Sequence, residues 1–228
     1  MRIAFFTALN MFFILLSPGT SWGQDYEIGL FVGGSNYQGD LADEVIQLVE
    51  THMAYGAILR LNVAPKISIN THVYFGTISG NDANSGLPSR RARGFSFSAP
   101  LTELGLNVEW TPFKSPYRRY GPYHPTIQPF LFSGLGLTLC AAHPTAPVTD
   151  VPYPFPEAGS RTYFINMPAG IGLKFKLAEQ YSVNLELGYR YVFSDYLDGV
   201  SVAGNPRNKD WYIFGGISFN YCFSDSQR

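Results

Sequence analysis

Charge is scarce in this chain: 14% of its 228 residues are Asp, Glu, Lys or Arg, and 17 acids against 16 bases leave a formal net charge of −1. So balanced a chain gives no sign of a nucleic-acid partner, and none is expected. Cysteine is scarcer still, with Cys140 and Cys222 alone. No CxxC, HExxH or GxxxxGK[ST] motif occurs, so no metal site, phosphate loop or other cofactor site is expected. Beyond the first two dozen residues no run of eighteen consecutive apolar residues exists, which excludes a helical membrane span. In place of these the chain is 16% aromatic, with 15 Tyr, 18 Phe and 23 Gly. That mixture favours β-structure with close backbone approaches and rings suited to an interface.

The opening "MRIAFFTALNMFFILLSPGTSWGQ" carries one positive charge at Arg2, an apolar run from Ile3 to Leu16, the breaker pair Pro18-Gly19 and small residues at Ser21 and Gly23. It reads as a secretory signal peptide over residues 1–23, cut after Gly23. No cysteine stands at the cut, so no lipid anchor is indicated. Residues 24–228 are then of a length for a single domain.

Period-2 alternation recurs through that domain. Ile28, Leu30 and Val32 face away from Glu27, Gly29 and Phe31 within residues 26–37, and the pattern returns at 53–63, 67–78 and 101–110. It appears four more times, at 128–140, 163–177, 181–193 and 211–223. Eight strands suit a barrel, and three features set the apolar face outward, against lipid. The polar faces hold glycines and charges of both signs, aromatics such as Trp110, Tyr163, Trp211 and Phe223 gather near strand ends, and connections alternate between short and long. The expected fold is therefore an all-β, eight-stranded antiparallel transmembrane up-and-down barrel with both termini in the periplasm. Residues 38–52, 79–100, 141–161 and 194–209 become outer loops. Cys140 and Cys222 then lie at opposite ends of the barrel, beyond the roughly 7 Å Cα limit of a disulfide, and both are expected to be free.

Seven charged residues fall on inward positions: Arg60, Glu103, Glu109, Lys174, Lys176, Glu186 and Arg190. An eight-stranded barrel is just wide enough for its side chains to fill. These groups are therefore expected to pair into a polar network rather than line a pore, because an uncompensated buried charge is costly. His72 is the one histidine at an inward mid-strand position. Asp195, Asp198 and Ser201 supply acids and a hydroxyl near the outer rim, but no histidine is close in sequence, so no catalytic residue is assigned. The basic run "SRRAR" at residues 89–93 suits either a solvated loop or a contact with lipopolysaccharide phosphates.

One periplasmic connection is too long for a barrel turn: "TPFKSPYRRYGPYHPT", residues 111–126. Its Tyr117, Arg118, Arg119, Tyr120 and Tyr123 are of the types that concentrate binding energy at interfaces, which makes it a candidate docking segment.

The stretches "YEIGLFVGGSNYQGDL", "MPAGIGLKFKL", "ELGYRYVFSDYLDGVS" and "DWYIFGGISFNY" together resemble the PorG-type small outer-membrane barrels of the Bacteroidota type IX secretion system. "SNYQGDL" and "FSDYLDGVS" are the most specific of these matches, which run over nearly the whole exported chain. The resemblance implies a nonenzymatic component that holds periplasmic lipoprotein and ring subunits to the outer membrane, with surrounding lipids as its other partners and no small-molecule substrate. Alternatives from other classes are an outer-leaflet lipid-modifying enzyme using Asp195 or Asp198, and an adhesion or lipid-binding barrel. In the barrel frame Asp195 and Asp198 fall where the seventh strand leaves the membrane, beside the Asp198-Gly199 turn signal, where carboxylates can pin loops to the rim.

Overall fold

The eight alternating segments form eight long antiparallel strands, joined by one short extra strand, in the computed structural model, which describes residues 25–38, 48–86, 88–113, 126–145, 161–194, 197 and 210–223. The strands are β1 (Asp25–Gln38), β2 (His52–Ala64), β3 (Ile67–Asn81), β4 (Ser96–Trp110), β5 (Thr126–Ala141), a short β6 (His143–Thr145), β7 (Arg161–Lys176), β8 (Tyr181–Val192) and β9 (Trp211–Phe223). Eight of them run in the order β3-β2-β1-β9-β8-β7-β5-β4, and β3 pairs with β4 to close the barrel. The first and last long strands meet over Tyr26–Phe223 to Gln38–Trp211, so no long edge is left open between the chain ends. Signal cleavage at Gly23 lies outside the described residues.

Tight turns gather at one end. Pro65 and Lys66 alone join β2 to β3, and Thr111 N, just past β4, donates to Lys66 O at 2.9 Å. Between β7 and β8 the turn takes four residues rather than the expected three, because Leu177 leaves the strand and its N–H, with that of Ala178, donates to Tyr181 O. Cys140 lies at the far end, paired with Leu101 and Thr162, whereas Cys222 pairs with Glu27 near the turns. No disulfide joins them.

The outer wall carries the apolar face. Leu30 is 68% exposed and Leu135 63%, and Ile28, Val32, Leu104, Leu106, Ile165, Ile171 and Ile217 are likewise exposed. Among inward neighbours, Arg60, Glu103 and Asn184 are fully buried. Such an inside-out arrangement suits hydrocarbon outside the wall and not water. Rings flank the band: Tyr55 with Phe75 and Tyr191 with Trp211 at the loop end, Tyr181, Tyr221 and Phe223 at the turn end.

Two strands reach further than the alternation suggested. Residues 79–81 and 96–100, expected in an outer loop, extend β3 and β4, and β6 lies along the extension with Ser98 opposite His143. The physical reason is a reversal of pattern along β4. Leu104, Leu106 and Val108 point outward, but Phe97, Ala99 and Leu101 are inward and buried. Above the membrane the surroundings are water, so apolar residues turn inside and the lipid-facing signature ends while the strand continues. A short helix, α1 (Pro88–Arg93), caps this hairpin and contains the basic run.

Candidate functional site

Small inward residues make room for large ones. A Cβ at Gly105 would stand 2.3 Å from His72 Cε1, and one at Gly172 would stand 2.2 Å from Phe130 Cζ, so these rings lie directly on backbone. Glycine at those points is what lets such large rings fit inside the lumen.

The turn-end half of the lumen is ionic. Arg60 Nε and Nη2 donate to the two oxygens of Glu109 at 2.7 and 2.9 Å, and Nη1 donates to Glu27 Oε2 at 3.0 Å. This fork-to-fork contact joins β2 to β4 past the intervening β3. Lys174 Nζ reaches Glu27 from across the barrel, at 3.0 and 3.2 Å. Asn70 donates to Glu109 at 2.6 Å and Asn62 to Glu27 at 3.0 Å. Two carboxylates and two bases thereby satisfy one another with water excluded, the condition under which buried ions are tolerated.

Midway, Glu103 gathers Arg190 Nε at 3.3 Å, His72 Nε2 at 2.8 Å and the Tyr212 hydroxyl. Tyr74 donates to Glu186 Oε1 at 2.6 Å from the opposite wall. Beside and above these groups the lumen becomes more apolar: Phe31, stacked on Tyr74, and Ile58, paired with His72, are buried together with Ile78, Phe97, Phe164 and Phe214, and Leu197 is buried with them. A gap of about 10 Å³ remains beside Asn70, Asn107 and Glu186. Asn70 Oδ1 and Asn107 Oδ1 have no protein partner, so the gap offers a single bridging water both the room and the polar contacts that it needs.

Of the seven inward charges expected, Arg60, Glu103, Glu109, Lys174, Glu186 and Arg190 are buried within this network. Lys176 is not. It ends β7 half-exposed, where water can solvate it, and no bond among the described residues ties it to the others. Glu27, Tyr74, Asn166 and Tyr212 were missed. Glu27 was readable from its place opposite Ile28, but tyrosines on inward positions look like any other aromatic. Asp195 and Asp198, and Tyr117, Arg118, Arg119, Tyr120 and Tyr123 of the long turn-end connection, lie outside the described residues.

A serine–histidine contact does occur at the outer rim, with Ser79 as its hydroxyl; Ser201 lies outside the described residues. Ser79 Oγ lies 2.7 Å from His52 Nε2 and donates to Glu50, whose second oxygen accepts from Asn84 Nδ2 at 2.5 Å. A hydroxyl has one proton; with it directed at Glu50, His52 must donate to Ser79 instead of receiving from it. The cluster thus ties chain segments together and is not a base poised on a nucleophile. The tie is needed because β2–β3 pairing ends at Tyr55–Phe75, although β3 stays paired with β4 up to Asn81.

A closed antiparallel barrel with an apolar outer band, interfacial rings and a filled ionic lumen defines a small transmembrane barrel of the outer-membrane class. The chain belongs to the family described as "Domain of unknown function (DUF6089)", whose model matches residues 6–227. No curated protein matches it. Among solved structures it is similar to the N-terminal barrel domain of Pseudomonas aeruginosa OprF, at 15% identity over 86% of this chain and 96% of that one, with a TM-score of 0.42. A major outer membrane protein from Thermus thermophilus gives 12% identity over 89% and 100%, with a TM-score of 0.48. The attachment invasion locus protein Ail of Yersinia pestis gives 10% over 87% and 99%, with a TM-score of 0.41.

Proposed function

We propose that this barrel is a nonenzymatic anchor in the bacterial outer membrane, exported by its N-terminal segment, that holds periplasmic lipoprotein and ring subunits of a secretion machine of the type IX kind. The observation that carries the reading is the filled lumen. Ion pairs and rings from opposite walls meet across it, leaving no conduction path among the described residues. Function then falls to the surfaces at its ends. The resemblance in "SNYQGDL" and "FSDYLDGVS" supplies the secretion context, and the Tyr/Arg composition of residues 112–125 supplies the docking surface.

Crosslinking the native outer membrane and isolating the barrel is expected to recover those subunits. Removing residues 115–123 should abolish their recovery while the barrel stays folded; recovery undiminished by the deletion would refute the docking segment. Changing Asp195 and Asp198 to Asn is expected to leave lipid A composition unaltered. Altered lipid chemistry with normal cargo export would favour a lipid-modifying enzyme instead.

A further inference from the structure

We propose that the outer end of the wall formed by β3, β4 and β5 binds a phosphorylated, acylated lipid of the outer leaflet, with its phosphate held by Arg161 and His143. This inference stands apart from the anchor reading and does not rest on it.

The wall is not uniformly covered by large side chains. Strand register sets Thr77 opposite Pro100, and Thr102 between Phe75 and Leu139. Small residues thus form a lane, with the stacked Tyr55 and Phe75 rings on one side and Leu139 on the other. The lane is a groove of about 580 Å³, within the roughly 300–1,000 Å³ typical of small-molecule sites. It begins at the ring belt, where β2–β3 pairing stops at Tyr55–Phe75, and rises from there to His143 and Arg161. Its lower lining, Met53, Tyr55, Phe75 and Leu139, is apolar and borders the outer apolar band, where an acyl chain of the occupant can lie.

The rim is what selects the headgroup. Leu139 pairs with Tyr163, and two positions outward Ala141 pairs with Arg161, so the guanidinium belongs one step above the aromatic belt. His143, on β6, lines the same groove. Both side chains are exposed, and no ion pair holds either among the described residues. A guanidinium at headgroup level above an apolar trough complements a phosphate attached to acyl chains, and it can bind that phosphate through two parallel hydrogen bonds. A transmembrane segment of another protein would use the trough but leave the cationic rim without a counter-charge.

The full-length barrel, reconstituted in phosphatidylcholine vesicles doped with bisphosphorylated lipid A or with its dephosphorylated form, would be extracted and the co-isolated lipid measured by native mass spectrometry. Wild-type protein is expected to retain the phosphorylated form preferentially, by roughly tenfold, the scale of one charge-assisted contact. R161A combined with H143A should erase the preference. T102W, which fills the lane from the lipid side, should lower retention of both forms, and R91A, on exposed α1, should change neither. Equal retention of the two forms by wild-type protein, or a preference that survives R161A with H143A, would overturn the proposal. So would a photocrosslinker at residue 102 that traps a protein in whole outer membranes and no lipid.

Discussion

The two halves of the lumen differ in which chemistry predominates, although the rings of Phe130 and Phe132 lie among the ionic groups and Asp82 and Asp210 are buried toward the loops. Toward the turns, Arg60, Glu27, Glu109 and Lys174 neutralise one another; toward the loops, Phe31, Ile78, Phe97 and Phe214 pack as in a soluble core. Length explains part of the division. Arg and Lys reach across the barrel and bond strands that are not neighbours, so a few side chains brace the half enclosed by lipid. The loop-side half instead needs volume, and it continues beyond the membrane, where the inward face is the apolar one. The ionic half should be intolerant of losing a single partner, whereas the apolar half should lose stability in proportion to the atoms removed.

The sharpest test is Arg60→Met. It leaves Glu109 with only the Asn70 amide among its described hydrogen bonds and removes one of the two cations on Glu27. The expected loss is about 3–5 kcal/mol, read by urea unfolding in lipid vesicles with tryptophan fluorescence. Adding Glu109→Leu should recover part of it, because an apolar pair leaves no uncompensated charge. A loss under about 1 kcal/mol for the single variant would mean that water reaches Arg60 and that the halves do not differ as described.

In the apolar half, Ile78→Val removes one methylene from a fully buried side chain. The expected cost is about 0.5–1.5 kcal/mol in the same assay. A cost near that of Arg60→Met would erase the contrast from the other side.

How far the sequence discloses these halves follows from what surrounds each. Within the membrane, alternation between lipid and lumen is strict, and residues 26–37, 53–63 and 211–223 foretell β1, β2 and β9 to within a residue or two at each end. Six of the seven inward charges were legible for the same reason, since a charge cannot face hydrocarbon. Beyond the membrane the alternation changes phase: "FSFSAPL" still alternates, with Phe95, Phe97, Ala99 and Leu101 inward, but a search for outward apolar residues reads it as loop. The Glu50–Ser79–His52 tie was not legible, because its members meet only through a break in strand pairing. Lys176 shows the converse limit, with the right parity but a position at a strand end where solvent removes the need to pair.

The gentlest probe changes no residue. Cys140 is 2% exposed, with its Sγ donating weakly to Leu197 O at 3.8 Å, whereas Cys222 is half-buried near the turn-end mouth of the lumen. A small thiol reagent applied to the folded barrel should modify Cys222 first and Cys140 far more slowly, because Cys140 is buried in the apolar cluster against Leu197. Mass spectrometry of the two cysteine peptides separates the rates. Modification of Cys140 as fast as Cys222 would mean that the loop-side half opens in the native state. The lumen would then be a gated passage, and the anchor reading would lose the observation on which it stands.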